Sequence, residues 1–328
     1  QFQFYRALFG EAFGLTWRYK AWWLVGFLIL LFSGSLGYQM IGQGISSLLQ
    51  PELWWTRWQT FSTQLTPSAL FAGQWRLLTT DPGSWFSLVV VFFVVSIAVL
   101  LMLTLGVLAF TTLVSAMKLR EQQGEFSFVV AVREALNHFW PSFAGIVLLQ
   151  IVSQALVLVF SVPVAALTLS APGIWKGVAT GLAIFIFSLC SILVAMVSMY
   201  ALIAIVVDDM RLCRAIVHAW RLLRRAWAAS IVLMLYQFLI LLGLSLTLIV
   251  FTSLVVVPLA IIGFILVANQ QFDFTSMLPI GTFYLLMLLF AIFGSANTMF
   301  QICSWCLMYF KLTERNEAAD VLVAEIRW

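Results

Sequence analysis

Two histidines are the side chains of this sequence best suited to ligate a metal or a tetrapyrrole. His138 and His218 are the only histidines of the chain, and a neutral imidazole could bind a metal ion, a pigment magnesium or a haem iron. Neither has cysteine or carboxylate partners at a ligand spacing, and both fall in segments expected at a membrane surface. We therefore expect no metal and no cofactor, and interpret both histidines as interfacial polar side chains.

Cys303 and Cys306 have the CxxC spacing of thiol redox centres and half zinc sites. They lie in an apolar helix, where buried thiols are usually unreactive, and no second CxxC completes a metal site. The other cysteines are Cys190 and Cys213, and none of the four lies in the long hydrophilic loop where a disulfide would be expected. We expect neither redox chemistry nor a disulfide framework.

Catalytic motifs are missing from the sequence, which contains no Walker loop, GxSxG elbow, HExxH helix or dinucleotide fingerprint. The confidently apolar segments also contain no Asp, Glu, Lys or Arg. Proton-driven carriers and pumps usually keep an ionisable residue inside the membrane. The sequence thus predicts no catalytic residues, a non-enzymatic protein and no ion-coupled carrier.

The elements that carry these side chains are membrane helices. With 63% hydrophobic and 9% charged residues, the chain cannot bury its apolar side chains in a soluble core. The predicted fold is all-α, a polytopic membrane helical bundle forming one integral domain over 1–328. Pro258 divides a long apolar interval, so seven or eight spans are the alternative to six. The six predicted spans are centred on Trp22–Ile41, Trp85–Leu108, Phe143–Leu167, Val178–Ile203, Ser230–Phe251 and Ile280–Trp305.

The basic residues orient these spans. If the N-terminus is cytoplasmic, fourteen Lys and Arg residues lie inside and three outside, which satisfies the positive-inside rule and returns the C-terminus to the cytoplasm. We expect a multi-pass protein of a bacterial cytoplasmic (inner) membrane, with its first helix retained as a span. The net charge of +4 lies beside apolar segments, so it indicates anionic lipid headgroups rather than nucleic acid as the partner.

One pattern occurs three times along the chain. An amphipathic segment with a central alanine is followed by tryptophan and then by a predicted span. The sequence therefore predicts a possible threefold internal repeat, each unit being an interfacial helix followed by a hairpin of two spans. The three segments are Phe4–Trp23, Phe126–Ala144 and Met210–Ser230, and their central alanines are Ala12, Ala135 and Ala219.

The third segment forms the predicted basic amphipathic interfacial helix over 208–228. Asp208 and Asp209 stand where acidic residues favour the start of a helix. Its spacing places His218 with the arginines on one face, opposite an apolar face of Met210, Cys213, Val217, Trp220 and Leu223. The side chains expected to contact lipid headgroups are Arg211, Arg214, Arg221, Arg224 and Arg225.

The segment 215–227, AIVHAWRLLRRAW, runs directly into an apolar span. It resembles the six-helix membrane domains associated with some bacterial glycerophosphodiester phosphodiesterases and the similar YciC-type inner-membrane proteins. The resemblance implies six membrane helices over most of the chain. It implies no active site, because catalysis in those enzymes belongs to a separate soluble barrel.

A tryptophan-rich loop over 42–84 is the one sizeable segment expected outside the cytoplasm. It contains Trp54, Trp55, Trp58 and Trp75, whose amphipathic rings favour the membrane interface. We expect this loop to lie along the outer leaflet, with a carbohydrate or ligand platform as the alternative.

Polar side chains within the spans carry the remaining functional signal. Gln150 and Gln154 accompany Ser153 in the third span, and Asn297 and Gln301 make the sixth span the most polar. Such side chains hydrogen-bond across helices. We expect them to serve helix association, with Gln237 and Tyr200 in the same network, and keep a polar cavity or a contact with another subunit as alternatives.

The hypothesis that follows is an accessory or scaffold subunit of a membrane complex, or a membrane organiser, whose partners are membrane lipids and other membrane subunits or itself. The first alternative is a transporter or lipid-handling protein with a polar pathway along the sixth span. The second is a pigment- or haem-binding subunit that would use His138 or His218.

Overall fold

The computed structural model describes residues 2–33, 82–124, 127–170, 174–268 and 272–326. Over these residues the chain forms nine α-helices and a short 3-10 turn, Lys20–Trp22, with no strand. The all-α prediction is therefore confirmed. The helices are α1 Phe2–Arg18, α2 Trp23–Ser33, α3 Pro82–Gln123, α4 Phe128–Asn137, α5 Phe139–Ser170, α6 Ile174–Val207, α7 Leu212–Arg225, α8 Trp227–Ala268 and α9 Phe272–Ile326.

Within the described residues, five segments are long and apolar enough to cross a membrane, as expected of a multi-pass membrane protein. They overlap the second to sixth predicted spans, with ends that differ. The first predicted span is described only as far as Ser33, and its apolar helix Lys20–Leu30 is shorter. The five are Trp85–Gln123, Phe139–Val164, Thr180–Val207, Trp227–Leu254 and Met287–Glu314.

Two further predictions concern Pro258 and the tryptophan-rich loop. Helix α8 runs through Pro258 without a break, so no separate piece forms after this proline, as seven or eight spans would require there. The tryptophan-rich loop lies outside the described residues, apart from Pro82–Ser84 at the start of α3.

Short breaks separate each amphipathic helix from the span that follows it. At the first break the chain forms the 3-10 turn after Tyr19, while His138 and Ala226 leave helical geometry between α4 and α5 and between α7 and α8. In each case the amide of the break residue still donates to a carbonyl of the preceding turn. A break of one to four residues lets the chain change direction between the amphipathic helix and the apolar helix.

The helices pack around a ring in which the first helix contacts the last. The hairpins are α2 with α3, α5 with α6, and α8 with α9. Each amphipathic helix packs on the last helix of the preceding hairpin, namely α4 on α3 and α7 on α6, and α1 closes the ring by packing on α9. Helices α3, α6 and α9 contact one another at the centre.

The core lies at one end of this bundle. We call it the basic end, meaning the end that contains Lys118, Arg120, Asp208 and Lys311. Buried side chains from all three central helices meet there. By contrast, none of the most apolar eighteen residues of the α3 span is buried, and only 11% of the corresponding residues in the α5 and α8 spans are. The packed part of the fold is thus the basic end.

Candidate functional site

The three amphipathic helices present the same burial pattern to the basic end. From residues 6, 129 and 213, nine consecutive positions follow one order of exposed, half-buried and buried side chains. The central alanines are fully buried, as are the residues four positions earlier, Leu8, Ala131 and Ala215. The residues directly after the alanines, Phe13, Leu136 and Trp220, are exposed. Each helix therefore binds the bundle through a narrow face of small or aliphatic side chains and shows large apolar side chains outward.

Lys118 is the most buried cation of the basic end, with 8% of its surface exposed. Its ammonium lies 2.9 Å from Glu134 Oε1, donates to the Val206 carbonyl at 3.2 Å and lies 3.8 Å from Asp209 Oδ2. These partners offset the desolvation of the charge, which would otherwise be costly in an apolar interior. One side chain thus joins α3, α4, α6 and the α6–α7 connection.

Asp209 occupies a left-handed backbone conformation, with φ of 52°, which aspartate tolerates better than most residues. Its carboxylate lies 3.1 Å from His138 Nε2 as well as beside Lys118. His138 is therefore held by a carboxylate at the junction of α4 and α5. The sequence missed this contact, although it identified both residues as interfacial.

A second ionic group, centred on Glu11, links the first helix of the chain to the last. Glu11 accepts a hydrogen bond from Arg120 Nη2 at 2.9 Å, and its other oxygen lies 3.7 Å from Lys311 Nζ. Helices α1, α3 and α9 are thereby linked. Glu11 and Glu134 both directly precede a central alanine, and this shared position is the signal by which the sequence could have identified the two ion pairs.

The corresponding residue of the third amphipathic helix is His218. The structure differs from the prediction here: the arginines of α7 are exposed, whereas His218 is half-buried with its ring centroid 6.3 Å from that of Tyr309. Its Nε2 atom is buried without a hydrogen-bond partner among the described residues. Tyr309 in turn donates a hydrogen bond to Asp208 Oδ2. Spacing alone cannot distinguish an exposed cation of an amphipathic helix from a neighbouring residue that faces the protein.

Neither histidine belongs to a metal centre that the structure can define. Among the described residues, no group of three or more His, Cys, Asp or Glu side chains could hold a metal ion. Cys303 and Cys306 are fully buried in α9, whereas Cys213 is exposed and Cys190 half-buried.

The arginines of α7 lie outside the protein core. Arg211, Arg214, Arg221, Arg224 and Arg225 are all exposed. On the predicted apolar face, Cys213, Val217 and Trp220 are exposed and Leu223 is buried. The helix thus has a third face, formed by Ala215, Ala219 and Leu222, that contacts the bundle and that a two-sided pattern did not predict.

Arg225 also lines a cavity of about 530 Å³ between α1, the α7–α8 junction and α9. Tyr5 stacks on Tyr236 of α8 at 6.2 Å between ring centroids and lines the same cavity. Partial burial, and secondarily the neighbouring Tyr236, raise the pKa of the Tyr5 phenol above its usual value. A tyrosine of ordinary pKa is already neutral at physiological pH, and this shift keeps the Tyr5 phenol available as a hydrogen-bond donor.

The polar side chains of α9 are packed against helices. Ser304 is fully buried, Ser295 and Thr298 nearly so, and their hydroxyls donate to carbonyls of their own helix. Asn297 and Gln301 are half-buried, and the backbone carbonyl of Gln301 accepts a hydrogen bond from Gln237 at 3.2 Å. Tyr200 forms a separate contact with Ser230, 2.7 Å between hydroxyls.

Gln150 and Gln154 of α5 do not join this interior network. Ser153 is buried, but both glutamines are exposed, and neither makes a hydrogen bond with any part of the chain that the structure describes. The expectation that they hydrogen-bond within the bundle is wrong for the isolated chain. They lie on α5 about 16 and 22 Å from its start, as calculated from the helical rise, which is near the middle of the apolar segment Phe139–Val164.

Comparisons with family models, with curated proteins and with solved structures find no match for this chain.

Proposed function

We propose that this chain is a non-enzymatic accessory or scaffold subunit of a bacterial inner membrane, which associates with other membrane subunits, or with a second copy of itself, through α5. The exposed pair Gln150 and Gln154 carries the proposal. In the proposed topology the chain crosses the membrane six times, and both termini and the basic end face the cytoplasm. We also propose that the chain is related to the membrane domains associated with glycerophosphodiester phosphodiesterases.

An exposed amide near the middle of a span has few ways to be satisfied. Lipid chains offer no hydrogen-bond partner, and transfer of an unpaired amide from water to alkane costs about 4–8 kcal/mol. A polar group on a partner helix recovers about 0.6–2 kcal/mol per interhelical hydrogen bond. Two glutamines one helical turn apart therefore favour a partner helix that lies along this face of α5.

The neighbouring surface suits such a partner. Ile151, Leu158 and Val159 of the same helix are exposed, so an apolar surface surrounds the two amides. A mostly apolar contact with a few hydrogen bonds is how helices associate in membranes, where packing and polar contacts replace the hydrophobic effect.

The packing of α9 supports a scaffold over the transporter alternative. The hydroxyls of Ser295, Thr298 and Ser304 are used within their own helix, and the backbone of Gly26 lies against the Ser295 carbonyl. These three hydroxyls are engaged in packing, which favours a scaffold, whereas the buried amide nitrogen of Gln301 has no hydrogen-bond partner among the described residues.

The threefold unit is also part of the proposal. It is supported by the common burial pattern of α1, α4 and α7 and by the packing of each on the last helix of the preceding hairpin. Three equal units around α3, α6 and α9 would explain why the core lies at the basic end.

The test is photo-crosslinking in native membranes, followed by native mass spectrometry of the purified protein. A photo-reactive amino acid is placed at Gln154, and as the matched control at Phe185, which is exposed on α6. We expect a protein adduct from position 154, absent from position 185, together with a stoichiometric complex in the mass spectrum. Lipid adducts alone at both positions and a monomeric mass would overturn the proposal.

A further inference from the structure

The cavity at the basic end combines features of a lipid site. It lies between the N-terminal part of α1, the junction of α7 with α8, and α9 just beyond its buried segment. Its lining includes two cations, Arg225 and Lys311, and an apolar floor that contains Val232 and the fully buried Met308. A volume of about 530 Å³ is in the usual range of small-ligand pockets.

The side chains around this cavity carry more positive than negative charge. Lys311 shares Glu11 with Arg120, at 3.7 Å and 2.9 Å respectively, so one carboxylate faces two cations. Arg225 is exposed and forms no salt bridge among the described residues. The side chains facing the opening therefore attract an anion, and the Tyr5 phenol adds a hydrogen-bond donor.

Exposed apolar side chains follow Val232 of the cavity lining along one face of α8. Trp227 marks its edge with 62% of its surface exposed, as expected of a tryptophan at a membrane interface. Beyond Val232 the same face of α8 presents Leu235 and Leu239, both exposed. Leu239 lies about 18 Å along the helix from Trp227, which covers the depth of one leaflet, about 15 Å of hydrocarbon.

We propose that this cavity binds the phosphate headgroup of one anionic phospholipid, with Arg225, Lys311 and Tyr5 around the phosphate and the acyl chains along Leu235 and Leu239. An amphipathic occupant fits both features, because the cavity lining has two cations and Leu235 and Leu239 are exposed on the helical face of Val232. The site is separate from the α5 surface, and either could exist without the other.

The test uses the full chain in nanodiscs that contain phosphatidylcholine with a minor fraction of phosphatidylglycerol, and native mass spectrometry counts the retained lipids. We expect one phosphatidylglycerol to be retained preferentially by the wild type. A basic residue beside an anionic lipid changes affinity about fivefold, so R225Q should lower this retention about fivefold and R225Q/K311Q by about tenfold to thirtyfold.

Two further variants separate a specific site from general surface attraction. R214Q removes the same charge from an exposed position of α7 that does not line the cavity, and should change retention less than twofold. A229F fills the cavity without changing charge and should lower retention as strongly as R225Q. Equal losses for R214Q and R225Q, or no preference in the wild type, would overturn the proposal. Displacement of the lipid by millimolar inorganic phosphate would assign the site to a soluble phosphate compound and overturn the lipid assignment.

Discussion

Replacing Lys118 by methionine removes the cation that links α3, α4 and the α6–α7 connection, while it keeps an unbranched side chain of similar length. The Lys118 side chain is 10% exposed and that of its partner Glu134 is 22% exposed, so both charged groups are largely withdrawn from water. Removing one partner of a fully buried pair costs about 3–5 kcal/mol. Because Glu134 and the more exposed Asp209 regain some hydration, we expect a smaller loss of stability, about 2–3 kcal/mol.

The matched comparison is Lys311→Met. Lys311 has 32% side-chain exposure and lies 3.7 Å from its carboxylate partner, so this pair should contribute less than about 1 kcal/mol. Equilibrium unfolding in mixed micelles, followed by tryptophan fluorescence, gives both losses. A double-mutant cycle of Lys118→Met with Glu134→Gln isolates the pair and should show coupling of about 1–3 kcal/mol. Equal losses for the two lysines, or coupling near zero, would refute the assignment of Lys118 as the central cation.

Three other predictions concern packing, association and a buried hydrogen bond. Gly26→Ala places a methyl group against the α9 backbone and should destabilise the protein by about 1–3 kcal/mol in the same unfolding assay. Gly243→Ala is the control, because no atom lies within 4 Å of the new carbon, and it should be neutral or stabilising. Gln154→Leu should weaken the proposed complex in native mass spectrometry without lowering monomer stability, and a destabilised monomer would place this side chain inside the bundle. Tyr309→Phe removes the hydrogen bond to Asp208 and should cost about 1.5–3 kcal/mol on unfolding; a loss below 0.5 kcal/mol would show that the bond contributes little.

The lipid site and the α5 surface make the same demand on purification. Harsh detergent would remove both a bound phospholipid and a weakly held partner, because each depends on contacts at the protein–lipid boundary. Nanodiscs formed directly from native membranes keep both. A lipid count that depends on Arg225 and a complex that depends on Gln154 would then be measured on the same preparation.

Local properties of the chain allowed the helical elements to be predicted. Uncharged stretches gave the spans from the second to the sixth, since their length and hydropathy need no knowledge of the fold. The amphipathic segments were predicted from the 3.6-residue period, and α1, α4 and α7 form within them.

The side of each helix that faces protein was decided only by tertiary structure. The sequence predicted that Gln150 and Gln154 serve helix association or contact another subunit, and the structure shows them exposed. It also grouped His218 with the exposed arginines, although its ring packs near Tyr309. In a membrane the lipid and the protein core are both apolar, so hydrophobic periodicity does not distinguish them.

The sequence by itself therefore determined the long apolar helices and the amphipathic helices that precede them. Tertiary structure decided that Lys118 meets Glu134 and Asp209, and that α1 closes on α9 through Glu11. These contacts join residues far apart in the chain, and they depend on which helices become neighbours. Length, charge and periodicity within a segment do not contain that information.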